Sequence, residues 1–559
     1  MIAAALREAW REGSLISTLP ANIVAGITVG IVALPLSMGL AIASGVAPQH
    51  GLYTAIVGGL LIALLGGSRV NISGPTAAFV VVLLPVVQHY GLAGLLLAGA
   101  MAGVIMMAFG LLRLGGLIQL IPYPVVVGFT SGIGVVIATL QLKDFLGLSP
   151  SGEALHFVDK LWQMLIALPT VRWQELLIGV LTFAVLVLWR RVKTRVPSYL
   201  VALLIGTSLA AGFNAAESLP DVETIATRFS FERDGQVIAG IPAIAPHVLL
   251  PWHLPGADGQ PLSVNLGLIR ELLGPAFAIA LLGALESLLC ALVADGMTGS
   301  QHNPDSELIG QGAGNIAVAF FGGIPATAAI ARTATNVRSG ATTPVAAITH
   351  AVSVLLAMLL LAPWLSLIPM AAMAAVLLMV AWNMSEAHHA LRIVRRAPRA
   401  DAAVFFTCFS LTVLIDMQVA VAAGVVLASL LFMRRMIELT GARQIGSSVH
   451  VHDQDQPRGV VIYDINGPLF FGAAHKALKV ISTVDREVHT VILDLADVSM
   501  LDTTAMMNLE SIAHDLGGRE QRLILVNVSA RLHDKMQRYG LLDQPALSVR
   551  ADLATALSA

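Results

Sequence analysis

The sequence predicts an α-helical membrane protein of about fourteen membrane elements, followed by a small soluble α/β domain. Three observations carry that prediction. Of the 559 residues, 56% are hydrophobic and 12% charged, against about 45–50% and about 25% in soluble domains. The charge is partitioned: 25 of the 119 residues from 441 onward are acidic or basic, but only 43 of the first 440. The first part is also a succession of long apolar runs, whereas the last part alternates apolar and polar residues. A chain this apolar is not disordered. It is also longer than the ~250–300 residues at which one soluble core stops growing.

Composition excludes several functions. A formal net charge of −2 speaks against a nucleic-acid partner, because phosphate backbones are held by an excess of Lys and Arg. The two cysteines, Cys290 and Cys408, both lie in apolar runs and build neither a disulfide framework nor a thiolate zinc site. The acids and histidines of the membrane part form no set of nucleophile, base and orienter, and adjacent His388-His389 lacks a zinc-motif spacing. No enzyme activity, metal or other cofactor is expected.

In chain order, residues 1–20 come first. The stretch Arg7-Glu8-Ala9-Trp10-Arg11-Glu12 is amphipathic and of mixed charge. It reads as an interfacial helix rather than a cleavable signal peptide. Residues 21–436 form the membrane part. Runs able to cross a ~30 Å hydrocarbon core recur near 21–43, 51–66, 92–112, 121–141, 175–189, 197–213, 272–294, 342–362, 366–382, 402–416 and 418–433. Three more segments, 75–88, 308–321 and 325–337, are broken by Gly or Pro. Asp416, at the end of a run, reads as a solvated end or cap.

Arg113, the cluster Arg190, Arg191, Lys193 and Arg195, the cluster Arg392, Arg395, Arg396 and Arg399, and the pair Arg434-Arg435 fall on one side if fourteen elements are counted. That side is then cytoplasmic, with both termini inside. The loop from about 214 to 269 faces outward, with Arg228 and Arg233 against Glu217, Asp221, Glu223, Glu232, Asp234 and Asp258.

An internal echo points to a site. Ser73-Gly74-Pro75-Thr76-Ala77-Ala78-Phe79 and Ile324-Pro325-Ala326-Thr327-Ala328-Ala329-Ile330 share Thr-Ala-Ala just after a Pro/Gly break, one in each half. Paired interrupted segments mark the midplane site of an inverted-repeat transporter. A helix that starts inside the membrane turns unsatisfied N–H groups and a partial positive charge toward the cavity, so two facing starts attract an anion. The competing reading is that these small residues serve helix packing.

Two isolated charges stand near the echo. Glu286, alone in the run 272–294, reads as a proton or cation coupling group or as a structural hydrogen-bonding acid. Arg332, just past the second Thr-Ala-Ala, reads as an attractor of anions, as a neutraliser of Glu286, or as a donor to loop carbonyls.

At these residues the chain resembles the sulfate permease (SulP) family of anion transporters. The matching stretches are Ala25-Gly26-Ile27-Thr28-Val29-Gly30-Ile31-Val32-Ala33-Leu34-Pro35, Ile72-Ser73-Gly74-Pro75-Thr76-Ala77-Ala78-Phe79, Leu308-Ile309-Gly310-Gln311-Gly312 and Ala331-Arg332-Thr333. The resemblance implies a seven-plus-seven inverted repeat, with a core (elements 1–4 and 8–11) moving against a gate (5–7 and 12–14) by an elevator-like shift. It also implies homodimers in the inner membrane and a cytoplasmic STAS domain, here 446–559. It places the anion between Thr76, Ala77, Ala78 and Phe79 on one side and Ala328, Ala329, Ile330, Ala331 and Arg332 on the other. Leu36, Leu40 and Glu286 form the walls.

Some members bind sodium with Asp at the position of Glu286 and Thr at that of Cys290. This chain departs at both, so protons are the expected coupling ion, a longer carboxylate and a thiol offering fewer hard oxygen ligands. Animal members carry Gln where this chain has Leu36. Met297-Thr298-Gly299, Ser306-Glu307-Leu308 and Ala381-Trp382-Asn383-Met384-Ser385-Glu386-Ala387-His388 are similar to the enterobacterial branch that takes up C4-dicarboxylates such as succinate, fumarate and aspartate. Sulfate and bicarbonate stay open as substrates, and so does an uncoupled anion channel.

In the last segment, 459–465, 490–495 and 523–528 read as strands and 472–482, 503–516 and 530–539 as helices, giving a small α/β domain. Asp497-Val498-Ser499-Met500-Leu501-Asp502-Thr503-Thr504 is similar to the STAS signature, with Asp502 placed to cap the next helix. The likeness implies that Thr503 or Thr504 is a phosphorylation or nucleotide control point, and that the domain binds a cytoplasmic protein partner. The plain helix cap is the competing reading.

Overall fold

The computed structural model describes residues 2–118, 121–152, 157–192, 194, 196–216, 220–233, 235–257, 259–445, 459–470, 472, 474–475 and 487–558. Lys193, Arg195, Glu217, Asp234, Asp258 and most of the helix expected at 472–482 lie outside them. The chain divides into two units, Met1–Val425 and Val426–Ala559.

The first unit is helical. Helix α1 (Ala4–Arg11) buries Ala5 and Ala9, and its outer carboxylates Glu8 and Glu12 pair with Arg69 at 3.2 and 2.6 Å. The membrane elements follow as α2 (Leu19–Ala43), α3 (Pro48–Leu65, with a π turn at Thr54–Gly58), α4 (Ala77–Leu111) and α5 (Tyr123–Leu146). After a short α6 (Phe157–Ile166) come α7 (Trp173–Leu188) and α8 (Ser198–Asn214). The second half has α9 (Leu266–Thr298), α10 (Pro304–Phe320), α11 (Ile330–Arg338), α12 (Val345–Leu365) and α13 (Met370–Met384). An amphipathic α14 (Ala387–Arg396) leads to α15 (Arg399–Leu414) and α16 (Met417–Leu439).

Among the described residues, eight helices are long and apolar enough to cross a membrane, and α7 and α8 are shorter apolar helices. Helix α4 supplies two of the expected elements, because Gly91 adopts φ 67° and bends it midway. Counted so, with α10 and α11 included, the membrane elements among the described residues number fourteen.

Two broken segments differ from expectation. The first, 308–321, is part of an unbroken helix: Pro304 sits in its first turn, where a missing N–H costs nothing. Its glycines serve contact. A Cβ on Gly312 would lie 2.6 Å from the Gly103 carbonyl, and one on Gly103 would lie 2.6 Å from the Gly312 carbonyl, so α4 and α10 touch backbone to backbone. The second, 325–337, is helical only from Ile330. The loop after α8 folds into a hairpin of β2 (Ser230–Arg233) and β3 (Gln236–Ala239). Asp416 caps α16, accepting from the Val419 N–H at 2.8 Å.

The second unit carries a five-stranded sheet in the order β5 (Gly441–Ile445), β6 (Val460–Asn466), β7 (Thr490–Asp494), β8 (Arg522–Val526) and β9 (Leu547–Arg550). The first pair is antiparallel and the others parallel. Helices α17 (Thr503–Gly517) and α18 (Ala530–Tyr539) cover one face through Leu509, Leu516, Leu532 and Met536. The edge strands β5 and β9 are additions to the expected set. Both are short and carry arginine, Arg443 and Arg550, which weakens the apolar alternation that reveals inner strands. The sheet thus begins five residues ahead of the expected start at 446.

Candidate functional site

In the first unit, two strands of two residues each cross antiparallel, β1 (Ser73–Gly74) and β4 (Thr327–Ala328), with Ser73 opposite Ala328 and Gly74 opposite Thr327. The Ala329 N–H adds a bond to the Ile72 carbonyl at 2.9 Å. Each strand leads into a helix start: α4 with Thr76 at its cap, α11 with Ala329 at its cap, neither making a side-chain capping bond. The two amino ends therefore meet, each with orphan N–H groups and the positive end of its dipole.

The Thr-Ala-Ala tripeptides are not equivalent. The first opens a helix, whereas Thr327 and Ala328 form the strand and the second helix begins at Ile330. Thr327 is buried behind the crossing, its hydroxyl 2.7 Å from that of Ser287 and donating to the Gly283 carbonyl at 3.1 Å.

A buried polar layer fixes the crossing. The Gln311 amide donates to the Ser73 hydroxyl at 2.9 Å, and Asn315 brackets Ala326 by donating to its carbonyl at 2.9 Å and accepting from its N–H at 2.7 Å. Glu307, 1% exposed, accepts from the Gly67 and Ser68 N–H groups and from the Asn71 and Gln311 amides at 2.9–3.1 Å. Four donors compensate the desolvation of that carboxylate, so Glu307 is a structural acid. The Thr333 hydroxyl accepts from the Ile72 N–H at 3.0 Å, with the Cys290 thiol 3.2 Å away.

In front of the crossing is a cavity of about 260 Å³. Of the residues expected at the site, Leu36, Leu40, Thr76, Ala77, Glu286, Ala328, Ala329, Ile330, Ala331 and Arg332 all line it. Ala78 and Phe79 do not. Both are fully buried, and the Phe79 ring packs where a side chain on Gly283 of α9 would stand, because a helix turns successive residues by about 100° and only one face meets the cavity. Thr130, Tyr199, Val380, Asn383, Met384 and Glu386 also line the cavity. Sequence reasoning missed them. They carry no shared motif, although Asn383 to Glu386 lay in a stretch already noted.

The charged side chains of Glu286 and Arg332 line the cavity. The Thr76 hydroxyl donates to Glu286 Oε2 at 2.8 Å. Arg332 is 3% exposed. Its Nη2 donates to the Pro75 carbonyl, while Nη1 has no hydrogen-bond partner among the described residues. Nor does any ion pair join it to Glu286 among them. A Cβ on Gly74 would lie 2.7 Å from Arg332 Nη1, so the guanidinium occupies the space that a glycine leaves. A buried cation with a spare donor beside two helix starts is suited to hold an anion.

The family model described as "Sulfate permease family" matches residues 19–408. The chain belongs to that family. Its second unit matches the STAS domain model over 453–556. Among relatives in the sulfate permease family, YvdB of Bacillus subtilis, which goes under a sulfate transporter's name, is 39% identical over 93% of each chain. The bicarbonate transporter BicA of Picosynechococcus is 28% identical over 93% of this chain and 90% of its own. The solved transmembrane domain of a cyanobacterial BicA matches 74% of this chain and 97% of its own at 29% identity, TM-score 0.60. Murine Slc26a9, solved in an inward-facing state, matches 98% of this chain and 94% of its own with a TM-score of 0.82 at 18% identity, which shows the shared fold. The protein is thus a multi-pass membrane anion transporter of the sulfate permease family, not an enzyme.

In the STAS unit, Asp502 caps α17, accepting from the Ala505 N–H at 2.8 Å. Thr503 is exposed and Thr504 half-buried.

Proposed function

We propose that the protein is a proton-coupled carrier of small anions in the inner (plasma) membrane, holding its substrate between the starts of α4 and α11 beside Arg332. The observation that carries this reading is the spare Nη1 donor of the buried Arg332, set in a cavity onto which two uncapped helix starts converge. A buried donor left unfilled is costly, and an anion relieves it.

Glu286 is the coupling group in this reading. It faces the same cavity and shares a hydrogen bond with Thr76 at the first helix start, so proton and anion are felt at one place. Thr76, Ala77, Leu36, Leu40 and Ala328 to Arg332 contact substrate. Elements 1–4 and 8–11, from α2 through both halves of α4 and from α9 to α12, move as the core against the remaining gate elements. Both termini and the STAS domain are cytoplasmic, the protein is a homodimer, and Thr503 or Thr504 regulates through a protein partner.

For the substrate class, the motif likeness around Met297, Ser306 and Ala381 supports C4-dicarboxylates. The second reading is sulfate or bicarbonate, favoured by relatives named for those anions. Competition uptake with succinate, fumarate, aspartate, sulfate and bicarbonate at two external pH values separates them. Dicarboxylates are expected to compete, more strongly at the lower pH. Competition by sulfate or bicarbonate alone overturns the dicarboxylate assignment, and lack of accumulation against a gradient overturns the carrier in favour of a channel.

A further inference from the structure

A second cavity, of about 390 Å³, lies along three of the helices that line the first. On α2 it begins just past Leu40, at Ile42 and Ala43, on α4 at Leu84 and Gln88, and on α5 at Gln141. In each helix it is C-terminal to the first cavity. Thr130 to Gln141 is eleven residues, about 16 Å of helix. The first cavity stands level with the Ser131 hydroxyl, which donates to the Ser385 carbonyl at 2.6 Å, so the second lies toward the other end of α5.

Its polar wall carries three cations, Lys143, Lys160 and Arg228, and one acid, Asp144. The acids nearby are engaged: Asp144 accepts from Arg228 at 2.8 and 3.0 Å, Glu223 from the same arginine at 2.7 Å, and Glu175 lies 3.7 Å from Arg172. Lys143 and Lys160 also line this region, and among the described residues neither makes an ion pair. Gln141 is 5% exposed, yet among the described residues its amide makes no hydrogen bond. That amide is open to the cavity it lines, so its N–H groups are free to donate to a guest. Partial burial also holds the Lys160 ammonium below the usual lysine range, a cost that a bound anion offsets.

We propose that this cavity is a second anion site, at which Lys143, Lys160 and the Gln141 amide hold a small carboxylate, bicarbonate or sulfate anion before or after its passage between α2, α4 and α5. The inference rests on the carrier reading above. The site raises the local concentration of anion at one mouth of the route and so acts on apparent affinity rather than on the transport step.

The test uses the full-length protein in oriented proteoliposomes, with labelled succinate, sulfate and bicarbonate offered from each face. For Lys143→Gln/Lys160→Gln, and separately for Gln141→Leu, the expected result is a rise in KM from one face only. The rise should be about tenfold for the double variant, with the maximal rate unchanged and a flatter salt dependence. An unchanged KM, or an equal change from both faces, overturns the second site. Acetylation footprinting of the wild-type protein needs no substitution: these anions should slow modification of Lys160, and unchanged modification overturns the site. Arg332→Gln separates the two readings. Protection of Lys160 alongside transport that survives this change intact would keep the second site and overturn the first.

Discussion

At Gly74 and Arg332, single-residue chemistry shapes the cavity wall. The glycine leaves the room that the guanidinium fills, and the Pro75 carbonyl takes one of its donors, leaving another for a guest. Glu286 is the second decisive residue. Glu286→Gln keeps the size and a hydrogen bond to Thr76 but cannot carry a proton. Uptake driven by an imposed pH difference is expected to vanish while the variant inserts and purifies like the wild type; unchanged uptake with unchanged pH dependence removes the coupling role. Both charges were legible in the sequence because a lone acid or base in an apolar run is costly unless used. Glu307 shows the limit of that argument: it is as buried as any charge here, and four donors make it structural. Ala78 and Phe79 turn their side chains away from the cavity for a simpler reason, since a motif names consecutive residues but a helix presents only every third or fourth to one side.

Among the elements, glycine spacing sets which helices touch. Gly26 and Gly30 of α2 meet α12 at Ala346 and Ser353, Gly128 and Gly132 of α5 meet α15 at Cys408 and Thr412, and Gly103 meets Gly312 between α4 and α10. Without a hydrophobic drive between helices in lipid, such close approach is what holds them. Gly103→Val drives side-chain atoms into the Gly312 carbonyl. It is expected to cost about 1–3 kcal/mol, read as a lower midpoint of thermal unfolding in detergent, whereas Gly212→Val, where a Cβ meets nothing within 4 Å, should leave the midpoint unchanged. Most membrane elements were legible from apolar length. The unbroken α10 and the two-residue strands were not, because glycine reads as a breaker in isolation and strand pairing depends on a partner over 250 residues away.

For the whole molecule, the charge partition anticipated two units, and the chain divides into two. Truncation after Leu439 should leave a membrane unit that inserts and purifies with altered transport, checked by membrane fractionation and uptake; a failure to insert contradicts the independence of the units. The fold was readable from the apolar runs and the charge partition, the family from its matching stretches, and the meeting of two helix starts from the Thr-Ala-Ala echo. The rest of the cavity lining was not, since Thr130, Tyr199 and Asn383 come together only through packing. The central claim is that an anion sits against the start of α11. Its most direct test is the rate at which a thiol reagent modifies Ala331→Cys, an exposed cavity position, the native Cys290 and Cys408 being buried. Transported anion should slow that modification in proportion to its occupancy. Modification at one rate across all anion concentrations, in a variant that still transports, would contradict the account.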